Sequence, residues 1–198
     1  MSSGAEQEPP LTVEDYLAGE AASEIRHEYI DGQVYAMTGA SDRHGLIVNA
    51  LAFALTPAAR RKGCQLFTSD MKVRLGIGGQ TLFYYPDLLL SCDKTDRDAY
   101  FRRSPCLIVE VLSESTERID RREKLLACQT LPSLREYLLV AQDRMRVELF
   151  RRAKDWRVER YESGELRLEC VSASVRVAEI YADVEWREGQ PQDGETPG

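Results

Sequence analysis

The segment Cys106-Leu107-Ile108-Val109-Glu110-Val111-Leu112 contains one acid among apolar residues. A short run rich in β-branched residues and leucine predicts a strand that is buried on both faces of a sheet. A carboxylate in such a strand loses its hydration, and this loss is costly unless another group compensates the charge. The fold and the function of the chain therefore both depend on what Glu110 meets.

A second acid occupies a similar place in the preceding apolar run. Asp87 follows Tyr85-Pro86 and precedes three leucines. The stretch between Asp87 and Glu110 is long enough for a loop that returns the chain to the same sheet. If the two strands are neighbours, both carboxylates can share one cation, and oxygen ligands of this kind suit Mg²⁺ or Mn²⁺. A metal held in this way most often serves phosphodiester chemistry.

Composition indicates an ordinary soluble globular protein. The 198 residues are 43% hydrophobic and 30% charged, which suffices for one domain with a real core. No apolar run approaches the roughly 18 residues of a membrane span, and the N-terminus lacks the pattern of a secretory signal. We therefore expect a cytoplasmic protein without a membrane partner.

The cysteines predict buried thiols rather than cross-links. There are five of them, none in CxxC spacing, and only two histidines are present. An odd number of cysteines among apolar neighbours is typical of reduced thiols in a cytoplasmic protein. The pattern argues against both a disulfide framework and a zinc site.

The negative charge is concentrated at the two ends of the chain. Residues 1–24 hold six acids and no base, and residues 183–198 hold five acids and one base. The two ends together carry −10. Because the whole chain carries −7, residues 25–182 carry +3. A mildly basic middle is compatible with a phosphate backbone as partner but does not by itself indicate one.

Hydrophobic periodicity and turn signals predict a mixed α/β domain. Helices are predicted at 12–20, from Ser41 to Gly63, at 117–131 and at 178–184. A hairpin is predicted over 25–38, and further strands at 64–68, 71–76, 82–91, 106–112, 136–141, 145–152, 156–162 and 166–171. This order indicates a central mixed sheet flanked by helices, with antiparallel strands at the C-terminal end. We assign 11–187 to one domain and expect disorder in 1–10 and 188–198.

The motifs along the chain resemble, in their order, the PD-(D/E)XK nuclease superfamily and, more narrowly, the Uma family of restriction endonucleases. The resemblance covers roughly residues 11–182. Each motif alone is short, and their order and context carry the resemblance. They are His27-Glu28-Tyr29-Ile30-Asp31-Gly32, His44, Tyr85-Pro86-Asp87-Leu88, Ile108-Val109-Glu110-Val111-Leu112-Ser113, the segment from Asp120 to Lys124, and Glu136-Tyr137.

This resemblance implies a restriction-endonuclease-like fold and a DNA endonuclease that depends on Mg²⁺ or Mn²⁺. Asp87 and Glu110 would be metal ligands, and Glu28 a further acid that holds the metal or its waters. A lysine would position the attacking water or stabilise the charge of the transition state. Leu112 stands where the superfamily's simplest pattern has that lysine, and Lys124 matches the place to which the Uma pattern moves it. His44, Asp70 and Asp120 are expected to support the site.

Each candidate also has a purely structural interpretation. Asp87 would cap a turn after Pro86, and Glu110 would pair with an arginine such as Arg102 or Arg103. Glu28 would be a solvated strand residue, and His44 an ordinary helix histidine. Lys124 would form a surface ion pair with Asp120, one turn away on the same helix face.

Three functions remain open from the sequence. The first is a metal-dependent DNA endonuclease, for which a homodimer is expected because double-strand cleavage needs two sites or two visits. The second is a non-catalytic nucleic-acid-binding or protein-interaction scaffold, which the leucine at position 112 favours. The third is a metal hydrolase that acts on another phosphate ester.

Overall fold

The computed structural model describes residues 10–37, 39–113 and 120–186. A π-helical turn, Asp120–Lys124, precedes the third α-helix of this part of the chain, and a 3₁₀ turn spans Arg152–Lys154. No helix among these residues has both the length and the apolar surface needed to cross a bilayer. The α-helices are α1 (Val13–Ala22), α2 (Asp42–Lys62), α3 (Leu125–Gln129) and α4 (Val177–Ile180).

Both ends of α2 follow from local sequence. The Ser41 side chain accepts a hydrogen bond from the backbone N–H of His44 at 3.2 Å, which caps the first turn. Gly63 ends the helix in the left-handed conformation, with φ of 69°. Ile47 and Leu51 are fully buried on the face that packs against the sheet. The predicted helix is thus confirmed, and its start places His44 in the first turn.

A five-stranded sheet contains the N-terminal hairpin. Its strand order is β2-β1-β5-β4-β7, and all pairs are antiparallel except β4 with β7. The strands are β1 (His27–Ile30), β2 (Gln33–Ala36), β4 (Lys72–Ile77), β5 (Gln80–Tyr84) and β7 (Phe101–Arg102).

A six-stranded mixed sheet forms the centre of the structure, in the order β11-β10-β9-β8-β6-β3. Its β8 pairs in parallel with β9 and antiparallel with β6. A separate antiparallel pair, β12 (Glu165–Leu168) and β13 (Ala173–Arg176), follows it. The strands of the central sheet are β3 (Gln65–Thr68), β6 (Leu88–Ser91), β8 (Pro105–Leu112), β9 (Glu136–Ala141), β10 (Val147–Arg151) and β11 (Val158–Tyr161). The predicted mixed α/β fold with C-terminal antiparallel strands is confirmed.

The two faces of β8 pack into two different apolar clusters. Successive side chains of a strand point to opposite faces. Leu107 and Val109 join the cluster under α2, whereas Ile108 and Leu112 join the cluster that contains Leu125 of α3. Alternation places Glu110 on this second face.

The predicted single strand over 82–91 is wrong, and the break lies at a candidate residue. β5 ends at Tyr84 in the five-stranded sheet, and β6 begins at Leu88 in the six-stranded sheet. Pro86 lacks an N–H for the ladder, so it interrupts strand pairing there. Asp87 therefore lies at the point where the chain passes from one sheet to the other.

Other element boundaries differ less. The helix predicted over 117–131 corresponds to the π-helical turn and α3, and 114–119 lie outside the described residues. The predicted strand over 166–171 is shorter and shifted toward the N-terminus, and β13 was not predicted. Predicted helix 178–184 is the single turn α4.

The expectation of five reduced thiols is wrong for four of the cysteines. Cys64 is bonded to Cys92, and Cys106 to Cys170, whereas Cys128 is free and buried. Antiparallel pairing of β3 with β6 brings residues 64 and 92 together, because Gln65 lies opposite Ser91. Proximity of this kind arises from sheet register, so spacing along the sequence does not reveal it.

Glu136, from the Glu136-Tyr137 motif, has a structural role. It is fully buried, pairs with Arg151 at 2.5 Å and accepts hydrogen bonds from the N–H groups of Glu169 and Cys170, both at 2.9 Å. Burial raises the pKa of Glu136, and the two N–H donors and the guanidinium oppose that shift. The carboxylate thus ties the segment after β12 to β9.

Replacing Glu136 by Gln is expected to lower the free energy of unfolding by about 2 kcal/mol, because Arg151 loses its fully buried partner and keeps the more exposed Glu159 and Glu169. Denaturant unfolding measures the change. Glu162→Gln is the control, since Glu162 is exposed and pairs with Arg146, and the expected change there is below about 0.5 kcal/mol. Equal losses in both variants would contradict a special role for Glu136.

Candidate active site

Asp87, which directly precedes β6, lies beside Glu110 of the neighbouring strand β8. β6 and β8 pair with Leu88 opposite Val109. The backbone N–H of Asp87 donates to Glu110 Oε2 at 3.4 Å, and that of Val111 donates to Asp87 Oδ2 at 2.7 Å. Their side chains are only 16% and 5% exposed, respectively. The condition set from the sequence, that the two strands be neighbours, is confirmed.

Lys124 reaches these acids from the π-helical turn. Its Nζ atom lies 2.7 Å from Glu28 Oε1 and 3.9 Å from Glu110 Oε1. The ammonium group also lies 5.6 Å from the centre of the Tyr84 ring. Because Lys124 is buried, it is not half of a surface ion pair. The side chain of Asp120, its predicted partner, lies outside what the structure describes.

Glu28 joins the group from the N-terminal hairpin. Its Oε1 atom accepts a hydrogen bond from the backbone N–H of Tyr85 at 3.2 Å, besides its contact with Lys124. Its side chain is 13% exposed, which contradicts a freely solvated strand residue. Glu28 thus comes from the five-stranded sheet, Glu110 from the six-stranded sheet, and Asp87 from the segment that links them.

His44 contacts the group from α2. Its Nε2 atom lies 3.1 Å from Asp87 Oδ2, and its side chain is 14% exposed. An Nε2–H in this place donates to the carboxylate, which holds Asp87 in one orientation. The carboxylate of Asp70 is exposed and pairs with Arg26.

The arginine partners considered for Glu110 are engaged at other places. Arg102 donates to the Phe101 carbonyl at 3.0 Å and to Gln65 Oε1 at 3.3 Å. Arg103 lies 4.5 Å from the centre of the Phe101 ring. The cation close to Glu110 is therefore Lys124 and not either arginine.

The arginines of the later strands also have internal partners. Arg146 pairs with Glu162, and Arg151 is buried against Glu136. Arg152 donates to backbone carbonyls, among them that of Leu134 at 2.8 Å. Arg118 lies outside the described residues, as does the side chain of Arg121. The guanidinium groups of Arg146, Arg151 and Arg152 are therefore already engaged within the protein.

The donor types of the site suit a hard divalent ion. Three carboxylates and one imidazole meet one ammonium group, and oxygen ligands are those that Mg²⁺ and Mn²⁺ prefer. Among the described residues, no three ligand atoms from these acids and His44 lie within 4.8 Å of one another. The acids are instead linked through Lys124 and backbone N–H groups.

Cys128 is close to the site but is not suited to nucleophilic attack. Burial raises the pKa of its thiol, and the negative charge of Glu110 acts in the same direction. A protonated thiol is a poor nucleophile. This agrees with its interpretation as a small core residue.

Sequence reasoning missed the groups that hold Tyr85. The Tyr85 hydroxyl donates to Glu20 Oε1 at 2.9 Å and accepts from Lys72 Nζ at 3.0 Å. Lys72 is buried, and burial lowers its pKa. In sequence, Lys72-Val73-Arg74-Leu75 has the alternation of a strand with exposed charges, so nothing in that pattern signals a buried lysine.

Two proteins of Synechocystis are similar in sequence to the chain. The chain is 35% identical over 177 residues to the uncharacterized protein slr1290 of Synechocystis sp. strain PCC 6803, covering 87% of this chain and 92% of that protein. It is 32% identical over 148 residues to the uncharacterized protein sll1609 of the same strain, covering 73% and 82%.

A solved structure shares the fold. It is the crystal structure of a "putative nuclease belonging to DUF820" from Anabaena variabilis, with a TM-score of 0.69 and 15% identity, covering 87% of this chain and 98% of that one. Residues 13–178 match the sequence profile of the Uma2 family, described as "Putative restriction endonuclease". With that match over most of its length, and with these relatives, the chain belongs to the Uma2 family and has its nuclease-like fold.

Proposed function

We propose that the protein is a divalent-metal-dependent endonuclease that hydrolyses DNA phosphodiester bonds. The observation that carries this proposal is the convergence of Lys124 on Glu28 and Glu110, beside Asp87. Asp87, Glu110 and Glu28 would hold Mg²⁺ or Mn²⁺. Such an ion would polarise a phosphoryl oxygen and lower the pKa of a water molecule.

The residues of the chain have separate tasks in this proposal. Lys124 offers N–H donors that orient a water molecule and offset negative charge as it develops on the phosphoryl oxygens. Glu28 holds the lysine at 2.7 Å, and the N–H of Tyr85 holds Glu28. Low exposure strengthens each of these interactions, because water screens them little.

The placement of Lys124 weakens the rival scaffold interpretation. That interpretation rests on Leu112, which occupies the usual lysine position. Leu112 is buried in the apolar cluster with Leu125, so a lysine there would lose its hydration. The turn that precedes α3 supplies the ammonium group instead, which supports catalysis.

A plasmid-nicking assay tests the proposal. Purified protein is incubated with Mn²⁺, with Mg²⁺ or with EDTA, and nicked or linear DNA is quantified. Cleavage that requires the metal is expected. DNA binding without metal binding or cleavage would favour the scaffold, and hydrolysis confined to mononucleotide or oligonucleotide panels would favour another phosphate ester.

Replacing His44 by Ala is expected to lower kcat about 10-fold to 100-fold with a smaller effect on KM, because Asp87 loses the group that orients it. Cleavage kinetics at saturating metal measure the effect. His27→Ala is the control, since the imidazole of His27 contacts Glu20 and not Asp87. If both variants lose activity equally, an orienting role of His44 is excluded.

We also propose that the active form is a homodimer, because a double-strand cut needs two sites or two visits. Sedimentation equilibrium at the assay concentration tests this directly. A monomer that linearises plasmid would contradict the dimer while leaving the proposed chemistry intact.

A further inference from the structure

Two disulfide bridges meet at the end of the β6–β8 pair opposite the acids. Cys92 follows β6, and Cys106 is the second residue of β8. The Sγ atoms of Cys92, Cys106 and Cys170 all lie within 4.8 Å of one another. Cys64 is bonded to Cys92, and Cys170 to Cys106. The two bridges therefore form one cluster.

The contact between the bridges has the dimensions of a metal site. Sγ of Cys92 lies 3.5 Å from Sγ of Cys106, and these two atoms are not bonded to each other. In a tetrahedral zinc site with Zn–S distances of about 2.3 Å, the sulfurs are about 3.8 Å apart. Three of the four sulfurs thus already lie within 4.8 Å of one another, and the fourth, that of Cys64, is bonded to Cys92.

Two lysines lie beside the cluster, and an open pocket offers an entry path. Cys64, Cys106 and Cys170 are buried, whereas Cys92 lines an open pocket of about 410 Å³ together with Lys94. Lys62 Nζ donates to the carbonyl of Cys170 at 3.3 Å. Ammonium groups stabilise thiolates and would offset the net negative charge of a zinc ion bound by four of them.

We propose that Cys64, Cys92, Cys106 and Cys170 form a tetrathiolate site for Zn²⁺ once the two disulfides are reduced. Each disulfide takes up two electrons and two protons and becomes two thiols. A phosphine reductant supplies the electrons and becomes the phosphine oxide, with its oxygen from water. Binding of Zn²⁺ then releases thiol protons. This site is independent of the proposed nuclease activity.

Such an ion would join four separate segments of the chain. Cys64 lies between α2 and β3, and Cys170 follows β12. Glu136 already positions Cys170 through its backbone N–H. The reduced protein would thereby keep the cross-links that the disulfides provide in the oxidised protein.

The test compares oxidised and phosphine-reduced wild-type protein, which share one sequence. After incubation with Zn²⁺ and gel filtration, we expect about one zinc ion per reduced chain and below about 0.1 per oxidised chain. Thiol titration confirms that reduction releases four further thiols. Substituting Co²⁺ should produce the intense thiolate-to-metal absorption of a tetrahedral sulfur site.

Variants identify the ligands. Cys92→Ser and Cys106→Ser should each fall below about 0.1 zinc per chain. Cys128→Ser should retain the ion, because Cys128 is free and lies outside the cluster. The double variant Asp87→Asn/Glu110→Gln should also retain it, which separates this site from the acids.

Three results would overturn the proposal. The first is reduced wild-type protein with four additional thiols that binds no zinc. The second is the reverse variant pattern, in which the double acid variant loses the zinc ion and the Cys92→Ser variant keeps it. The third is a pair of disulfides that the phosphine cannot reduce while the protein stays folded. Because the cobalt spectrum is recorded on wild-type protein, a variant that misfolds does not obscure the outcome.

Discussion

Replacing Asp87 by Asn or Glu110 by Gln is expected to slow Mn²⁺-dependent plasmid cleavage about 10³-fold. Each change removes a charged ligand, and a bound metal supplies several kcal/mol of charge stabilisation, where about 1.4 kcal/mol corresponds to each tenfold in rate. Both side chains are largely buried, so solvent compensates little for the missing negative charge. Initial rates of nicking, measured over a range of Mn²⁺ concentrations, give the loss.

Asp70→Asn is the matched control for these variants. Asp70 was also a candidate from the sequence, but its carboxylate is exposed and pairs with Arg26. Its rate is expected to stay within about twofold of wild type, as for a surface substitution. If wild type, Asp87→Asn and Glu110→Gln all cleave at the same rate, the activity comes from a contaminant and the site assignment fails.

The second large effect is expected for Lys124→Met, on both activity and stability. The substitution removes the cation that two largely buried carboxylates, Glu28 and Glu110, share. Removing one partner of a buried ion pair lowers the free energy of unfolding by about 3–5 kcal/mol. We therefore expect the free energy of unfolding without metal to fall by about 3 kcal/mol, and cleavage to fall at least about 10²-fold.

Addition of Mn²⁺ should restore part of the stability of Lys124→Met, because a cation that binds only the folded state stabilises it. Denaturant unfolding with Mn²⁺ or with EDTA measures this. Lys154→Met is the control, since Lys154 is 54% exposed in its pair with Glu159. A Lys124→Met protein as stable as wild type, with or without metal, would contradict the role of Lys124 as the cation of the acidic group.

Local patterns predicted the elements whose signals are complete within a short stretch. The strand that carries Glu110 has an apolar run typical of a fully buried strand, and the structure places it at the centre of a sheet. Helix α2 has both its cap residues, Ser41 and Gly63, in sequence. The break at Pro86 was missed because the leucines that follow continue the apolar pattern, although the chain changes sheets there.

In the candidate site, too, some residues were predicted from the sequence, whereas their partners are visible only in the structure. A carboxylate inside an apolar strand signals by itself that a partner is required, and this identified Glu110 and, beside it, Asp87. The partner is Lys124, from the π-helical turn that follows β8 in the chain, together with Glu28 from the distant N-terminal hairpin. Buried Lys72 and the bonded cysteines had no sequence signal, because their neighbours come from other strands.

Sequence alone thus determined most of the strands, the long helix and the two acids that need a cation, because hydrophobic periodicity and the cost of burying charge act on each segment separately. Tertiary structure alone decided that Lys124 meets Glu28 and Glu110, that His44 contacts Asp87, and that four cysteines meet at the far end of the same strand pair. These contacts join segments distant along the chain, and their formation depends on sheet register and helix packing rather than on any local pattern.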